Sequence, residues 1–308
     1  WENLDLIPYG KQNINQADID SVVDVLHSDF LTQGPKVIEF EKNLTDYCKA
    51  KYTKVVNNGT AALHLAYLAI GLKKDDIVWT TPNTFVATAN SALYCGATID
   101  FVDINPKTYN LSIDCLKEKL IQAKEDNKLP KLVVPVHFAG QSCEMEEIWR
   151  LSQEYSFKVI EDASHALGGE FQNKKIGCCE YSDLVVFSFH PVKMITTGEG
   201  GAIVTNSEAL AVRCRMIANH GRIAKYDHKF EGRNSRLDGL QAAILTVKLR
   251  HLDKWTDNRI MIANEYLERL KDIPEITLPV RQDWAKQVYH LFVIRHSNRD
   301  KIQAVLKE

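Results

Sequence analysis

The chain has 308 residues, 45% hydrophobic and 25% charged, the balance of a globular protein long enough for one large domain and a smaller one. Its 38 basic and 40 acidic residues leave a formal charge of −2 with no long single-sign block, so bulk electrostatics argue for neither a nucleic acid nor a membrane surface as partner. Seven cysteines, odd in number and without a C-x-x-C pair, read against a disulfide framework or zinc ribbon and for reduced thiols in a cytoplasm, and no apolar run approaches the length of a membrane span.

In chain order, WENLDLIPYG (1–10) carries acids and lacks the basic segment of a signal peptide. QADIDSVVDVLHS (16–28) and KVIEFEKNLTDYCKA (36–50) have the apolar spacing of helices, with a Gly-Pro break in FLTQGP (30–35) between them. KVVN (54–57) predicts a short strand and TAALHLAYLAIG (60–71) a helix that stops at glycine. Buried strands are predicted at DIVWT (76–80), TIDFV (98–102), LVVPV (132–136), KVIE (158–161), LVVFSF (184–189) and AIVT (202–205). Helices fall between most of them, at FVATANSALYCG (85–96), SIDCLKEKLIQA (112–123) and EMEEIWRLSQEY (144–155). Such alternation predicts an α/β fold whose mostly parallel sheet is covered on both faces. From about Leu237 the pattern becomes one long helix over 236–272. QVYHLFVIR (287–295) then predicts a strand of a second, smaller unit, and DKIQAVLKE (300–308) a fresh helix, so that this unit reads as incomplete at Glu308.

Three segments carry candidate chemistry. In NNGTAALHLA (57–66) a strand ends, Gly59 permits a tight turn and a helix begins. The free N–H groups and positive dipole of a helix start make a phosphate seat, although a plain cap by Asn58 or Thr60 explains the same residues. In KVIEDASHALGG (158–169) an apolar strand delivers Glu161 and Asp162 at its carboxyl end, where ligands bind in open α/β sheets. An acid there suits a positively charged ring nitrogen or a loop cap, and His165 suits a ligand contact or a buried imidazole. In SFHPVKMITTGEGG (188–201) Lys193 sits in a turn beside glycines 198, 200 and 201. A desolvated lysine becomes a neutral amine able to form a Schiff base, whereas a turn lysine in solvent does nothing of the kind.

Together the three segments match pyridoxal 5′-phosphate, which needs a phosphate cradle, an acid on its ring nitrogen and a lysine on its aldehyde. The G-x-x-x-x-G-K-[ST] and G-x-G-x-x-G patterns of nucleotide sites are absent. A Schiff-base aldolase lysine survives as an alternative, but it leaves Asp162 and the NGTAAL seat without a joint purpose.

PYGKQ (8–12), FLTQGP, NNGTAALHLA, TTPNTFVATANSALYCGA (80–97), EDASHALG, FSFHPVKMITTGEGGAIVTN (187–206) and GRNSRLDGLQAAIL (232–245) resemble the DegT/DnrJ/EryC1/StrS sugar aminotransferases over nearly the whole chain. HPVKMITTGEGG, SHALGGEFQNKKIG and the LTQGP loop are most similar to the branch serving pseudaminic acid-type nonulosonate biosynthesis. The resemblance implies a fold-type I enzyme, active as a homodimer, with a large cofactor domain over 1–250 (its N-terminal arm 1–30) and the start of a truncated small α+β domain over 251–308. It implies transfer of the amino group of L-glutamate to C4 of a UDP-linked 4-keto-6-deoxy-N-acetylhexosamine. Another UDP- or dTDP-linked keto sugar, or a non-catalytic regulator holding the cofactor, stays open.

It also implies roles. Lys193 would hold the cofactor covalently and shuttle protons, and Asp162 would pair with the ring nitrogen. Gly59, Thr60, Ala61 and Ser188 would hold the phosphate, Phe85 would stack on the ring, and His165 would sit near its oxygen. Asn234 would reach the phosphate in the partner subunit, and Tyr9, Asp29, Phe30, Leu31 and Thr32 would touch the nucleotide sugar. No metal is implied. Dehydratase relatives carry histidine at the lysine position, so Lys193 points to transamination.

Overall fold

The computed structural model describes residues 10–306. Helices α1 (Gln16–Leu26) and α2 (Pro35–Cys48) precede β1 (Tyr52–Val56), α3 (Gly59–Ala69), β2 (Ile77–Thr80), α4 (Val86–Tyr94), β3 (Thr98–Phe101) and α5 (Ile113–Glu125). There follow β4 (Leu132–Val133), α6 (Met145–Tyr155), β5 (Lys158–Asp162), the short strands β6 (Glu170–Phe171) and β7 (Lys174–Lys175), β8 (Leu184–Ser188) and β9 (Gly201–Thr205). The remainder comprises α7 (Glu208–Ala218), β10 (Arg222–Ala224), β11 (Asp227–His228), α8 (Gly239–Leu249), α9 (Leu252–Leu270), β12 (Ala285–Lys286) and α10 (Arg299–Val305).

Seven strands form one sheet in the order β1-β9-β8-β5-β4-β2-β3. Its strands alternate inward residues to two cores, as a two-residue side-chain period requires. Val185 and Phe187 of β8 join α2 and α8 on one face, whereas Leu184 and Val186 join α3, α4 and α7 on the other. A third cluster seats α5 and α6 on Trp79, Val133 and Val159. Both faces are therefore covered over most of the sheet, which explains why the inner strands read as continuous apolar runs; the edge strand β3, expected to be buried, is instead largely exposed.

Four further details depart from the sequence reading. Strand β9 runs antiparallel to both β8 and β1, because the 189–200 link holds no crossover helix of the kind that a parallel return needs. The run at 132–136 pairs as a ladder only over Leu132–Val133, since Pro135 has no N–H to donate. The long helix at 236–272 is two helices, α8 and α9, turned against each other at Arg250–His251. The segment 287–295 is not a strand of a second sheet. Tyr289 takes a left-handed φ of 49°, the backbone leaves strand geometry there, and Val288 N–H instead donates to Gly140 O at 3.0 Å. Among the described residues no helix is long and apolar enough to cross a membrane.

Candidate active site

Strands β1, β5 and β8 point the same way, so their carboxyl ends open on one edge of the sheet. Beyond β1, Asn58 is extended and caps α3, its side chain accepting Ala61 N–H at 2.7 Å. Asn58, rather than Thr60, is thus the cap, and Ala61's N–H is committed to it. The Gly59 and Thr60 N–H groups of the same first turn have no partner within the helix. Glycine is required at 59 by close approach: a Cβ there would lie 2.8 Å from Ser188 Cβ and 3.0 Å from its Oγ. Two unpaired main-chain donors at a helix start, with the Ser188 hydroxyl close to Gly59, are the arrangement that suits a phosphate.

The two acids at the end of β5 face opposite ways. Glu161 turns into the protein, where His137 Nε2 lies 2.7 Å from one oxygen and Ser182 Oγ donates to the other at 2.5 Å. Asp162 turns to the open edge. Its Oδ1 accepts Ser164 N–H at 3.1 Å, and its Oδ2 accepts the Thr88 hydroxyl at 2.7 Å. Asp162 is 4% exposed, and both its oxygens are hydrogen-bonded, as buried polar groups require.

Lys193 lies in the β8–β9 link, its N–H donating to His190 O at 2.9 Å. Thr196 Oγ1 donates to Phe189 O and Thr197 Oγ1 to Gln241 O, which pin the link to β8 and to α8. Burial pulls the Lys193 ammonium below its ordinary range, with the charge of Asp162 acting the other way. A larger fraction of neutral amine results than in a solvated lysine.

His165 is mostly buried, and its Nδ1 has no hydrogen-bond partner among the described residues. Burial, then the neighbouring Lys193 charge, push its imidazole down to about 4, against the opposing pull of Asp162. His290 lies on it, ring centres 4.3 Å apart, and is pushed down to about 2 by burial and then by His165, Lys193 and Arg259. Phe85, at the start of α4, is 70% exposed, an unusual position for a large apolar residue three residues from the buried Thr88.

Gly59, Thr60, Ala61, Ser188, Asp162, His165, Lys193 and Phe85 therefore belong to the elements that converge on one edge. Asn234 is exposed and bridges to Asn219, beside the Asn57 N–H to Ser235 O bond that flanks the α3 seat. The Asp29–Thr32 stretch lies against the start of α8, the helix that also holds the Lys193 link through Gln241. Leu31 O accepts Gly239 N–H at 2.7 Å, and Phe30 and Leu31 are half exposed. Tyr9 lies outside the described residues. A cleft of about 970 Å³ opens beside Lys193, between its link, residues 10–13, α9 and 289–294. Sequence reasoning missed Thr88 and His290. The signal for Thr88 was its place one helical turn after Phe85, and His290 was hidden in an apolar run read as a strand.

The residues fit pyridoxal 5′-phosphate. A cradle that a Cβ would fill, an orphaned imidazole nitrogen, an exposed phenylalanine and a desolvated lysine lie on elements that meet the edge where Asp162 stands. Among the described residues no group of three His, Cys, Asp or Glu side chains is placed to hold a metal.

The fold and site define an α/β protein of the aminotransferase type. The chain matches the DegT/DnrJ/EryC1/StrS aminotransferase family over residues 12–308 and belongs to it. It is 40% identical to the UDP-4-amino-4,6-dideoxy-N-acetyl-beta-L-altrosamine transaminase of Campylobacter jejuni, over 94% of this chain and 76% of that protein. Among solved structures it resembles Helicobacter pylori PseC, an aminotransferase involved in the biosynthesis of pseudoaminic acid, with TM-score 0.88 and 34% identity over 97% of this chain and 80% of that one. It also resembles NtdA from Bacillus subtilis with bound cofactor PMP, with TM-score 0.84 and 30% identity over 96% of this chain and 67% of that one.

Proposed function

We propose that this protein transfers the amino group of L-glutamate to C4 of a UDP-linked 4-keto-6-deoxy-N-acetylhexosamine, a step toward pseudaminic acid-type sugars. The observation that carries the reading is the meeting of the α3 seat, Asp162 and Lys193 on one sheet edge, in a chain so similar to a UDP-sugar transaminase. The cofactor is pyridoxal 5′-phosphate. When bound, it supplies an electron sink that stabilises negative charge at a substrate carbon and carries the amine between the two substrates.

The protein's own residues do the rest. The Gly59 and Thr60 N–H groups, the Thr60 hydroxyl and Ser188 Oγ bind the phosphate, in the turn that Ala61 completes. Phe85 covers a ring face, as aromatic side chains do for flat cofactors. Asp162 accepts the ring nitrogen's proton in a hydrogen bond and balances its charge. Lys193 Nζ is the covalent anchor. Once released, its neutral amine takes a proton from glutamate Cα and later delivers one to sugar C4, the role of a positioned base whose basicity burial has lowered. His165 stays neutral and offers its free Nδ1 to the ring oxygen.

The working unit is a homodimer in which Asn234 reaches the partner's phosphate seat and the Asp29–Thr32 stretch and Tyr9 meet the nucleotide sugar. The described residues up to 250 belong to the large cofactor domain and those from 251 on to the small one. On this reading the reaction takes place in the cytoplasm.

The test is a spectrum of the cofactor-loaded protein before and after glutamate, followed by a panel of UDP- and dTDP-linked keto sugars. Glutamate should bleach the visible band and the UDP-linked 4-keto sugar should restore it. A band that glutamate leaves unchanged would favour a cofactor-holding regulator, and restoration by a 3-keto sugar alone would move the reading to that substrate.

A further inference from the structure

Thr88 is wholly buried in the first turn of α4, and its hydroxyl lies 2.7 Å from Asp162 Oδ2. A second hydroxyl stands behind it, Thr84 Oγ1, at 2.8 Å from Thr88 Oγ1. An ionised carboxylate only accepts hydrogen bonds, and a threonine hydroxyl has one proton to give. Thr88's proton is therefore committed to Asp162, and the Thr84 contact must run the other way, Thr84 donating to Thr88. The two hydroxyls form a directed chain that ends on the carboxylate. Thr88 itself is held in place twice, by its N–H to Phe85 O at 3.1 Å and by the buried Tyr67 hydroxyl donating to its carbonyl at 2.9 Å.

We propose that the Thr84–Thr88 relay is a positioning and tuning device for Asp162, fixing its rotamer and keeping its charge on the carboxylate so that the proton of the pair stays on the cofactor's ring nitrogen. The inference rests on the functional reading above. Its physical basis is that donors to a charged carboxylate favour the ionised form, and that hydroxyls in series polarise one another at low dielectric. Short bonds of this kind, with an ionised acceptor, are stronger than neutral ones. No other side chain among the described residues donates to Asp162, and Ser164 N–H takes the opposite oxygen. Removing Thr88's donor leaves Oδ2 free to turn away or to draw the ring proton to itself. Either change leaves the ring less positive, and a less positive ring repels a proton at the Lys193 nitrogen less.

The experiment is a pH titration of the visible absorbance of the cofactor-loaded protein. In Thr88→Val, which keeps the shape and deletes the donor, the midpoint should rise by about 0.5 unit or more, the scale set by losing one hydrogen bond to a charged group. Thr88→Ser should return it to the wild-type value. Thr84→Val, at a half-buried loop position where folding is not at stake, should raise it by less in the same direction. Midpoints unchanged in Thr88→Val and Thr84→Val, with the wild-type band present, would overturn the relay and leave the proposed function standing. A wild-type protein that takes up no visible band would remove the functional reading and the relay together.

Discussion

The Cα of Gly59 approaches Ser188 so closely that a methyl group on it would lie 2.8 Å from the serine Cβ. That distance is below any relaxed carbon–carbon contact, and Ser188 is held by the β8–β9 ladder at Gly201. Gly59→Ala should push the first turn of α3 away from Ser188. We expect a loss of about 1–3 kcal/mol in stability, the usual cost of overpacking, and at least about tenfold weaker uptake of pyridoxal 5′-phosphate, since tenfold corresponds to only about 1.4 kcal/mol. Denaturant titration and absorbance titration with the cofactor read the two effects. Unaltered cofactor uptake would place the phosphate elsewhere.

Asp162→Asn should retain the cofactor and slow the glutamate half-reaction by about 10²–10³, the range for deleting one strong electrostatic stabiliser. The amide cannot balance a charged ring nitrogen, yet it preserves the shape of the site. Single-turnover kinetics after mixing with glutamate measure the rate directly. An unchanged rate would remove Asp162 from the role given to it.

His165 makes the stability of the cofactor-free protein depend on pH. Its folded-state value of about 4 lies below the ordinary histidine value near 6.5. Between those two values the unfolded chain binds a proton that the folded one does not, so stability rises with pH there. It is present in full above about pH 6.5 and lost as the pH falls toward 4, by about 3 kcal/mol at most. His165→Gln should make this part of a denaturation-midpoint profile less steep, with the neighbouring His290, held lower still, keeping its own share, and a profile as steep as wild type would contradict the assignment.

Much of the fold was legible because apolar spacing and strand-end glycines say where elements start and stop. The helix 60–71 and the strand before Asp162 are there within a residue or two, and Gly59 and Lys193 stood out by their turns. What was hidden depends on contacts distant in sequence. Nothing between Arg250 and His251, neither glycine nor proline, marks the turn from α8 to α9. Both residues stay in right-handed helical geometry, and tertiary packing decides the break. The apolar run 287–295 alternates like a strand, but a left-handed Tyr289 and the bond of Val288 to Gly140 bend it over the His165 ring instead. Thr88 reads as an ordinary small helical residue until Asp162, 74 positions away, is placed on its hydroxyl.

A buried ion pair anchors the first helix. Lys248 of α8 is 1% exposed and its Nζ lies 2.5 Å from Asp18 Oδ2 in α1, which is 2% exposed. It also donates to the carbonyl of Asn13, at the rim of the cleft. Asp18→Ala would strand a buried ammonium and should cost about 3–5 kcal/mol, whereas the joint change Asp18→Leu with Lys248→Met should recover much of the loss. Chemical denaturation of the three proteins decides this. Equal stability in Asp18→Ala would show that the pair carries no weight.

The account depends most on Lys193 as the amine that holds the cofactor. Borohydride reduction of the loaded protein, tryptic digestion and mass spectrometry test it. A modified Lys193 resists cleavage, so the pyridoxyl mass should appear on the single peptide spanning residues 176–213. The same mass on any other lysine, or on none, would contradict the site described.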